Sequence, residues 1–408
     1  MSPLHIRLSG MMFLQFFIWG AWFVTLGSFL GRGLGVGGTE IGMAYGTTAI
    51  AAMVSPLLVG ALGDRWLPPA RLLAILHLLG AVLLWYLAQT RSFDTLYMLL
   101  MAYALLYMPT LALANTVCFQ GLADGEREFP KIRVFGTLGW IAAGILVGFL
   151  AIEETATPFV LAAVSSLILG IYCFTLPDQV RTSADTPAAN WRQLLGLDAL
   201  ALLNDRSLLL VFVCSLLICI PLAFYYNFTN LYLNDLGIEN AAGKMTLGQV
   251  SEVLFMLLMP LMFRRLGIKA MLMIGMGAWV IRYGLFAYGF SGEGVNWSIY
   301  LGILLHGICY DFFFVSGQIY TDRVAPRQLR GSAQALLTFC TYGVGMFIGA
   351  YASGWIVSSF TTEQRLWEQI WLAPAVMALL VLCVFALLFK DSTTETEQQG
   401  LRPAGEQT

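Results

Sequence analysis

The sequence predicts an all-α integral membrane protein of twelve spanning helices, built as two pseudo-symmetric bundles of six. Three observations carry this. Charged residues make up only 11% of the chain, against 58% hydrophobic and a mean hydropathy of +0.75. A soluble domain carries about a quarter charged residues, so this chain cannot keep its surface in water. Apolar runs of about 20 residues, the length a spanning helix needs, recur along the chain. Basic residues gather in every second connecting segment.

The runs lie at 8–31, 39–62, 70–90, 95–122, 131–152, 157–176, 207–234, 244–263, 270–290, 297–321, 331–360 and 367–389. The first is long enough to span and no A-x-A cleavage pattern follows it, so it reads as a retained helix and not a signal peptide. The others lack the alternation of strands, and in lipid a lone helix satisfies its own backbone. With the N-terminus inside, the inner segments hold 17 of the 22 basic residues and the outer loops hold Arg32, Arg91, Lys244 and Arg365. That asymmetry predicts both termini in the cytoplasm. The remaining basic residue, Arg282, falls within the ninth span.

The longest connection, 177–206, divides the chain into bundles 1–176 and 207–390, followed by a polar tail at 391–408 that reads as disordered. Its second part, WRQLLGLDALALL, is amphipathic and suits the membrane surface. The halves echo each other. Pro56 opens PLLVGALGDR in the second span, and Pro260 opens PLMFRRLGIK 204 residues later in the eighth. Gly144 and Gly148 form GxxxG in the fifth span, and Gly345 and Gly349 repeat it 201 residues on. A 6 + 6 chain with a cytoplasmic central loop resembles secondary transporters of the major facilitator type, whose site lies between the halves near the midplane. GALGDRWLPPAR, with Gly60, Asp64, Arg65 and Arg71, resembles that superfamily's glycine–aspartate–arginine signature in degenerate form, with Pro68 and Pro69 in place of the usual glycine-basic stretch. Its expected role is a charged latch at helix ends; an ordinary positive-inside loop is the alternative.

Ionisable residues inside spans are costly and are functional candidates by default. Here they are Glu252, Arg282, His306 and Asp311, with Arg133 at the mouth of the fifth span. Glu252 lies eight residues below Lys244, about 12 Å deep at 1.5 Å per residue. Asp311 is near the middle of the tenth span. Helical spacing puts Gln249 with Glu252, His306 with Tyr310 beside Asp311, and Arg133 with Thr137 and Trp140 on shared faces. Gln15, Trp19 and Trp22 in the first span, Asn115 in the fourth, and Tyr225, Tyr226, Asn227 and Asn230 in the seventh complete a polar–aromatic lining for one cavity. Arg282 reads as structural, because the ninth span of such folds is usually peripheral.

Other chemistries find little support. His306 and Asp311 match an HxxxxD acyltransferase pattern, but inside a spanning helix with no catalytic domain beside it the match reads as chance. The three histidines are scattered, and the seven cysteines lie in apolar runs with no CxxC, which argues against disulfides, a metal site or a catalytic set. The expectation is no cofactor, no metal, no nucleic-acid partner, and function as a monomer in the bilayer.

FLQFFIWGAWFVTLGSF, YMPTLALANT, FPKIRVFGTLGW, QVSEVLF, AWVIRYGLFAYG and YDFFFVSG together resemble the nucleoside:proton symporter family of the major facilitator superfamily over nearly the whole chain. The resemblance implies nucleoside uptake across a bacterial inner membrane, driven by protons. It places Arg133, Thr137 and Trp140 on the family's fifth-helix positions, Gln249 and Glu252 on its eighth-helix pair, and Tyr310 and Asp311 on its aromatic–aspartate pair, with His306 where a tyrosine is familiar. In the seventh helix an ungapped match puts Ala223 and Tyr226 where glutamine and asparagine are familiar; Asn227 compensates only if the helix is rotated. The chemistry of the residues agrees. A nucleoside needs aromatic faces and bidentate amide or carboxylate partners, and proton coupling needs a carboxylate that passes between buried and hydrated settings. Asp311 and Glu252 are the candidates. A major facilitator transporter of another small polar solute, a sugar or a drug, is the alternative; a membrane enzyme or sensor would need a catalytic set or an output domain.

Overall fold

The computed structural model describes residues 2–62, 67–122, 124–177, 191–289 and 297–390. Among these, regular structure is helical. The long helices are α1 (Pro3–Gly33), α2 (Gly38–Leu62), α3 (Pro69–Gln89), α4 (Phe93–Gly121), α5 (Gly125–Phe149), α6 (Thr157–Cys173), α7 (Arg206–Asp235), α8 and α9 within Ala241–Tyr288, α10 (Trp297–Val324), α11 (Arg327–Ser359) and α12 (Trp367–Leu388). Nine helical stretches among the described residues are long and apolar enough to cross a membrane, counting Ala241–Tyr288 as one; α6 is apolar but has 17 residues. Large side chains such as Phe149, Leu257 and Leu387 stand 76–82% exposed on the outward faces. Water would penalise so much apolar surface; lipid would not.

Helices α8 and α9 meet at Gly267, whose φ of +72° and ψ of 173° lie in a region open essentially to glycine alone. Lys269, just beyond, donates Nζ to the carbonyls of Ala386 and Phe389 at the end of α12, where a cation suits the helix dipole. The amphipathic segment after 190 forms no continuous surface helix. It makes one turn (Trp191–Leu194) and a 3₁₀ stretch (Leu197–Asn204), with Gly196 set against the backbone of Ser332 and Leu336 in α11. Asp64, Arg65 and the tail lie outside the described residues; Arg71 is exposed in the first turn of α3.

Glycines set how closely the helices approach. A Cβ at Gly139 would lie 2.1 Å from the Phe13 carbonyl oxygen, so α1 and α5 touch backbone to backbone. The two GxxxG pairs, alike in sequence, do different jobs. Gly144 and Gly148 receive the start of α8, in the other six-helix group, at Ala242 to Thr246. Gly345 and Gly349 receive α7, in their own group, at Leu216 to Ala223. Helix α11 meets the first group elsewhere: a Cβ at Gly42 of α2 would lie 2.3 Å from the Ala350 carbonyl oxygen.

Among the described residues, the hydrogen bonds and ion pairs joining the first six helices to the last six gather at the end of the bundle that carries Arg32. Glu153, only 4% exposed, accepts from Asn230 Nδ2 (2.8 Å), Asn234 Nδ2 (2.9 Å) and the backbone N–H of Ala242 (2.9 Å). It thus caps the N-terminus of α8 from the opposite half, where helix dipole and unpaired N–H groups favour an anion. Ser28 donates to Asn230, and Arg32, paired with Glu154 of its own group at 2.9 Å, reaches Asp235 of the other at 3.7 Å. Arg365 pairs with Asp235 at 2.8 Å and extends toward the Gly31 carbonyl. This end is closed by a polar latch.

Candidate functional site: a polar–aromatic joint between the halves

Helix α5 presents Arg133, Thr137 and Trp140 half-buried on one face. The Arg133 guanidinium lies 4.1 Å over the Phe16 ring, and a Cβ at Gly136 would collide with both groups, so that glycine makes room for the stack. Trp140 meets Trp19 edge-on at 5.5 Å, and Phe23 also packs against it. Across the joint, Tyr226 of α7 reaches Phe23 at 6.0 Å. A narrow crevice between the halves, lined by Trp140, Tyr225, Tyr226, Met245, Thr246 and Gln249 among others, has room for about one water.

Below it, Glu252 remains 23% exposed at mid-helix and sits close enough to Arg133 for their charges to interact without ion-pair contact. Glu252 Oε2 lies 3.9 Å from His306 Nε2. His306 stacks on Tyr225 at 5.0 Å, and Tyr310 hydrogen-bonds Tyr342 of α11. Helix α10 is irregular here: residues Tyr310–Val315 form a π-helical turn, a feature frequent at functional sites. Just before it, the Gly307 N–H is taken by Ser251 Oγ of α8 at 2.9 Å. The turn sets Asp311 fully inside, with neither carboxylate oxygen hydrogen-bonded.

The structure therefore brings Trp140, Tyr226, Gln249, Glu252, His306 and Tyr310 to the joint, with Arg133 on the Trp140 face of α5; Thr137 shares that face half-buried, and Asp311 follows Tyr310 in the π-helical turn, fully buried. Asn227 turns away: its Nδ2 meets Ser353 of α11 at 3.2 Å. Asn230 serves the latch. Gln15 is taken up within the first half, bonding Thr110 (2.7 Å) and His77 (2.8 Å), and Trp22 is buried against Phe159 and Tyr103. Arg282 is not peripheral: it is fully buried, with its guanidinium 3.4 Å from the centre of the Tyr225 ring and Nη1 3.1 Å from His306 Nδ1. Sequence reading missed Glu153, which sits in a short polar connection with no periodicity to mark it, and Asn234, in the last turn of α7, whose i+4 spacing from Asn230 was the signal that could have found it.

The family model described as "Nucleoside H+ symporter" matches residues 2–394. YegT of Escherichia coli (strain K12) is 43% identical over 404 residues, covering 95% of this chain and 94% of YegT. Xanthosine permease of the same organism is 33% identical over 94% of this chain and 96% of its own length. Nucleoside permease NupG, also from that organism, is 32% identical over 95% and 96%. A crystal structure of a NupG mutant superposes with a TM-score of 0.90 at 32% identity, over 95% of this chain and all of that one. These relatives are permeases and transporters, not enzymes. On the match of residues 2–394 to the family model, and of 94–95% of the chain to relatives above 30% identity, the chain belongs to the nucleoside–proton symporter family.

Proposed function

We propose that this protein is a secondary active transporter that imports nucleosides by proton symport across a bacterial inner membrane. In this reading twelve helices span the bilayer as two bundles, 1–176 and 207–390, joined by the 177–206 loop. Both termini and the 391–408 tail are cytoplasmic, and one chain is the working unit. The Arg32 end then faces outward, so the latched state is closed to the outside. Family membership and the basic-residue asymmetry support the reading.

The observation that carries it is the convergence, where the halves meet, of stacking faces with amide, carboxylate and guanidinium groups. Trp140 and Tyr226 offer faces to a flat base. Gln249 and Glu252 offer bidentate partners to base or ribose, and Arg133 and Thr137 donate from the opposite wall. A sugar phosphate would call for more basic residues than Arg133 alone. Asp311 takes the proton: it is a buried carboxylate at mid-span with neither oxygen hydrogen-bonded. Loss of the proton and loss of the nucleoside on the open side then free the halves to rock about the site.

A ligand panel tests the substrate class. Purified protein is titrated with labelled uridine and challenged with unlabelled purine and pyrimidine nucleosides, free bases, hexoses and cationic drugs. Nucleosides should compete and hexoses and drugs should not. Competition by hexoses alone would replace this reading with sugar transport.

A further inference from the structure

Arg282 is a cation in a fully buried position, with no ion pair to a carboxylate among the described residues. Its guanidinium carbon lies 3.4 Å over the Tyr225 ring centre, with Trp279 at 5.3 Å and Phe286 at 5.7 Å, and its Nε and Nη2 have no hydrogen-bond partner. Among the described residues its one hydrogen bond of good geometry is Nη1 to His306 Nδ1 at 3.1 Å. Guanidinium nitrogens only donate. Nδ1 must therefore be the accepting nitrogen, and the neutral imidazole carries its hydrogen on Nε2. That Nε2 has no hydrogen-bond partner and faces Glu252 Oε2 across 3.9 Å, too far for a direct bond. Tyr225, stacked on the imidazole at 22° and lying against the guanidinium, keeps both groups from turning.

We propose that Arg282 is a positioning residue: it holds His306 in the Nε2–H form, so that Nε2–H and Glu252 Oε2 together receive one polar edge of the substrate as a donor and an acceptor. This rests on the nucleoside-transport reading for its substrate. The edge it fits carries an acceptor beside a donor, as in the N–H/C=O edge of a base or a ribose diol. A tyrosine at position 306 would need no such control, because a phenol hydrogen rotates to suit.

The chain has three histidines, so imidazole ¹⁵N spectra of the full-length protein are tractable. His306 is assigned by loss of its signals in His306→Gln and by comparison with His5→Asn. The parent should show His306 as the neutral Nε2–H form; an Nδ1–H form or an imidazolium at neutral pH overturns the proposal. Arg282→Met removes the donor and should give a tautomer mixture; a parent-like spectrum in that variant also overturns it. In vesicles, Arg282→Met should raise KM for labelled uridine and inosine about tenfold, the scale of one lost hydrogen bond, with little change in Vmax. Added to His306→Gln, it should raise KM less than about twofold, since Arg282 acts only through the ring. Equal rises in both backgrounds would assign Arg282 to plain scaffolding. The parent spectrum needs no variant to fold and no substrate. If the parent carries no nucleoside at all, the transport reading fails while the tautomer is still decided.

Discussion

Glu153→Gln should loosen the closed end of the protein. Glu153 receives three hydrogen bonds from the opposite half: Oε2 accepts from Asn230 and Asn234, and Oε1 from the Ala242 N–H. A glutamine can place its carbonyl oxygen at only one of these positions. Its amide nitrogen then confronts a donor, either the Ala242 N–H or the two asparagine amides, and the charge that favours the α8 N-terminus is gone. A hydrogen bond to a charged group is worth about 1.5–3 kcal/mol, so losing one and turning its donor against another should cost the latched state roughly 2–3 kcal/mol. That lowers the closed-to-open ratio roughly 30- to 150-fold. The cross-half contacts of Arg32 with Asp235 and of Arg365 with the Gly31 carbonyl are long and partly exposed and compensate little. Spin labels at Thr155→Cys and Gln364→Cys, both exposed and on opposite halves of this end, with the exposed Cys383 replaced, read the separation by pulsed dipolar resonance. The parent should show mainly the short distance and Glu153→Gln a larger population at longer distance. Superimposable distributions would refute the latch.

Trp140→Ala should weaken nucleoside binding by about 1–3 kcal/mol, the worth of base–aromatic stacking, while Trp140→Phe keeps most of it; equal titration curves for all three proteins would return Trp140 to simple packing against Trp19. Gly42→Ala should lower the melting temperature, because the new methyl meets the Ala350 carbonyl where neither backbone can easily yield, at a cost of about 1–3 kcal/mol. Gly277→Ala, with nothing within 4 Å, is the control and should be neutral or mildly stabilising; matching behaviour of the two would contradict the close α2–α11 contact. Asp311→Asn should bind nucleoside and exchange it across the membrane yet fail to concentrate it, since asparagine keeps the shape but cannot ionise. Glu252→Gln should instead lose affinity, and if it alone abolishes pH-driven accumulation, the two carboxylates exchange roles.

Helix positions were legible in the sequence because each run must satisfy its backbone in lipid, and such runs cannot be hidden. Which neighbour a polar face meets was less legible. Gln15 shares a face with Trp19, and periodicity aimed both at the central joint. Yet Gln15 sits deeper in its own half and is claimed by His77 and Thr110. Asn227 and Asn230 are one turn apart on α7, but one meets Ser353 and the other the latch. A helical wheel gives direction, not the partner waiting there. Arg282 looked peripheral because span order was the only guide; its burial under Tyr225 depends on how α9 leans on α7 and α10, which no local pattern encodes. Glu153 had no signal at all, since IEET between two apolar runs reads like any polar turn.

The most direct test is accumulation in vesicles. Protein reconstituted into liposomes is given labelled uridine or inosine with an inward proton gradient, with the gradient collapsed by a protonophore, and with an inward sodium gradient alone. Uphill accumulation under the proton gradient, abolished by the protonophore and absent with sodium alone, is the result predicted. Full accumulation driven by sodium with no response to the pH gradient, or no nucleoside uptake under any gradient, would contradict it.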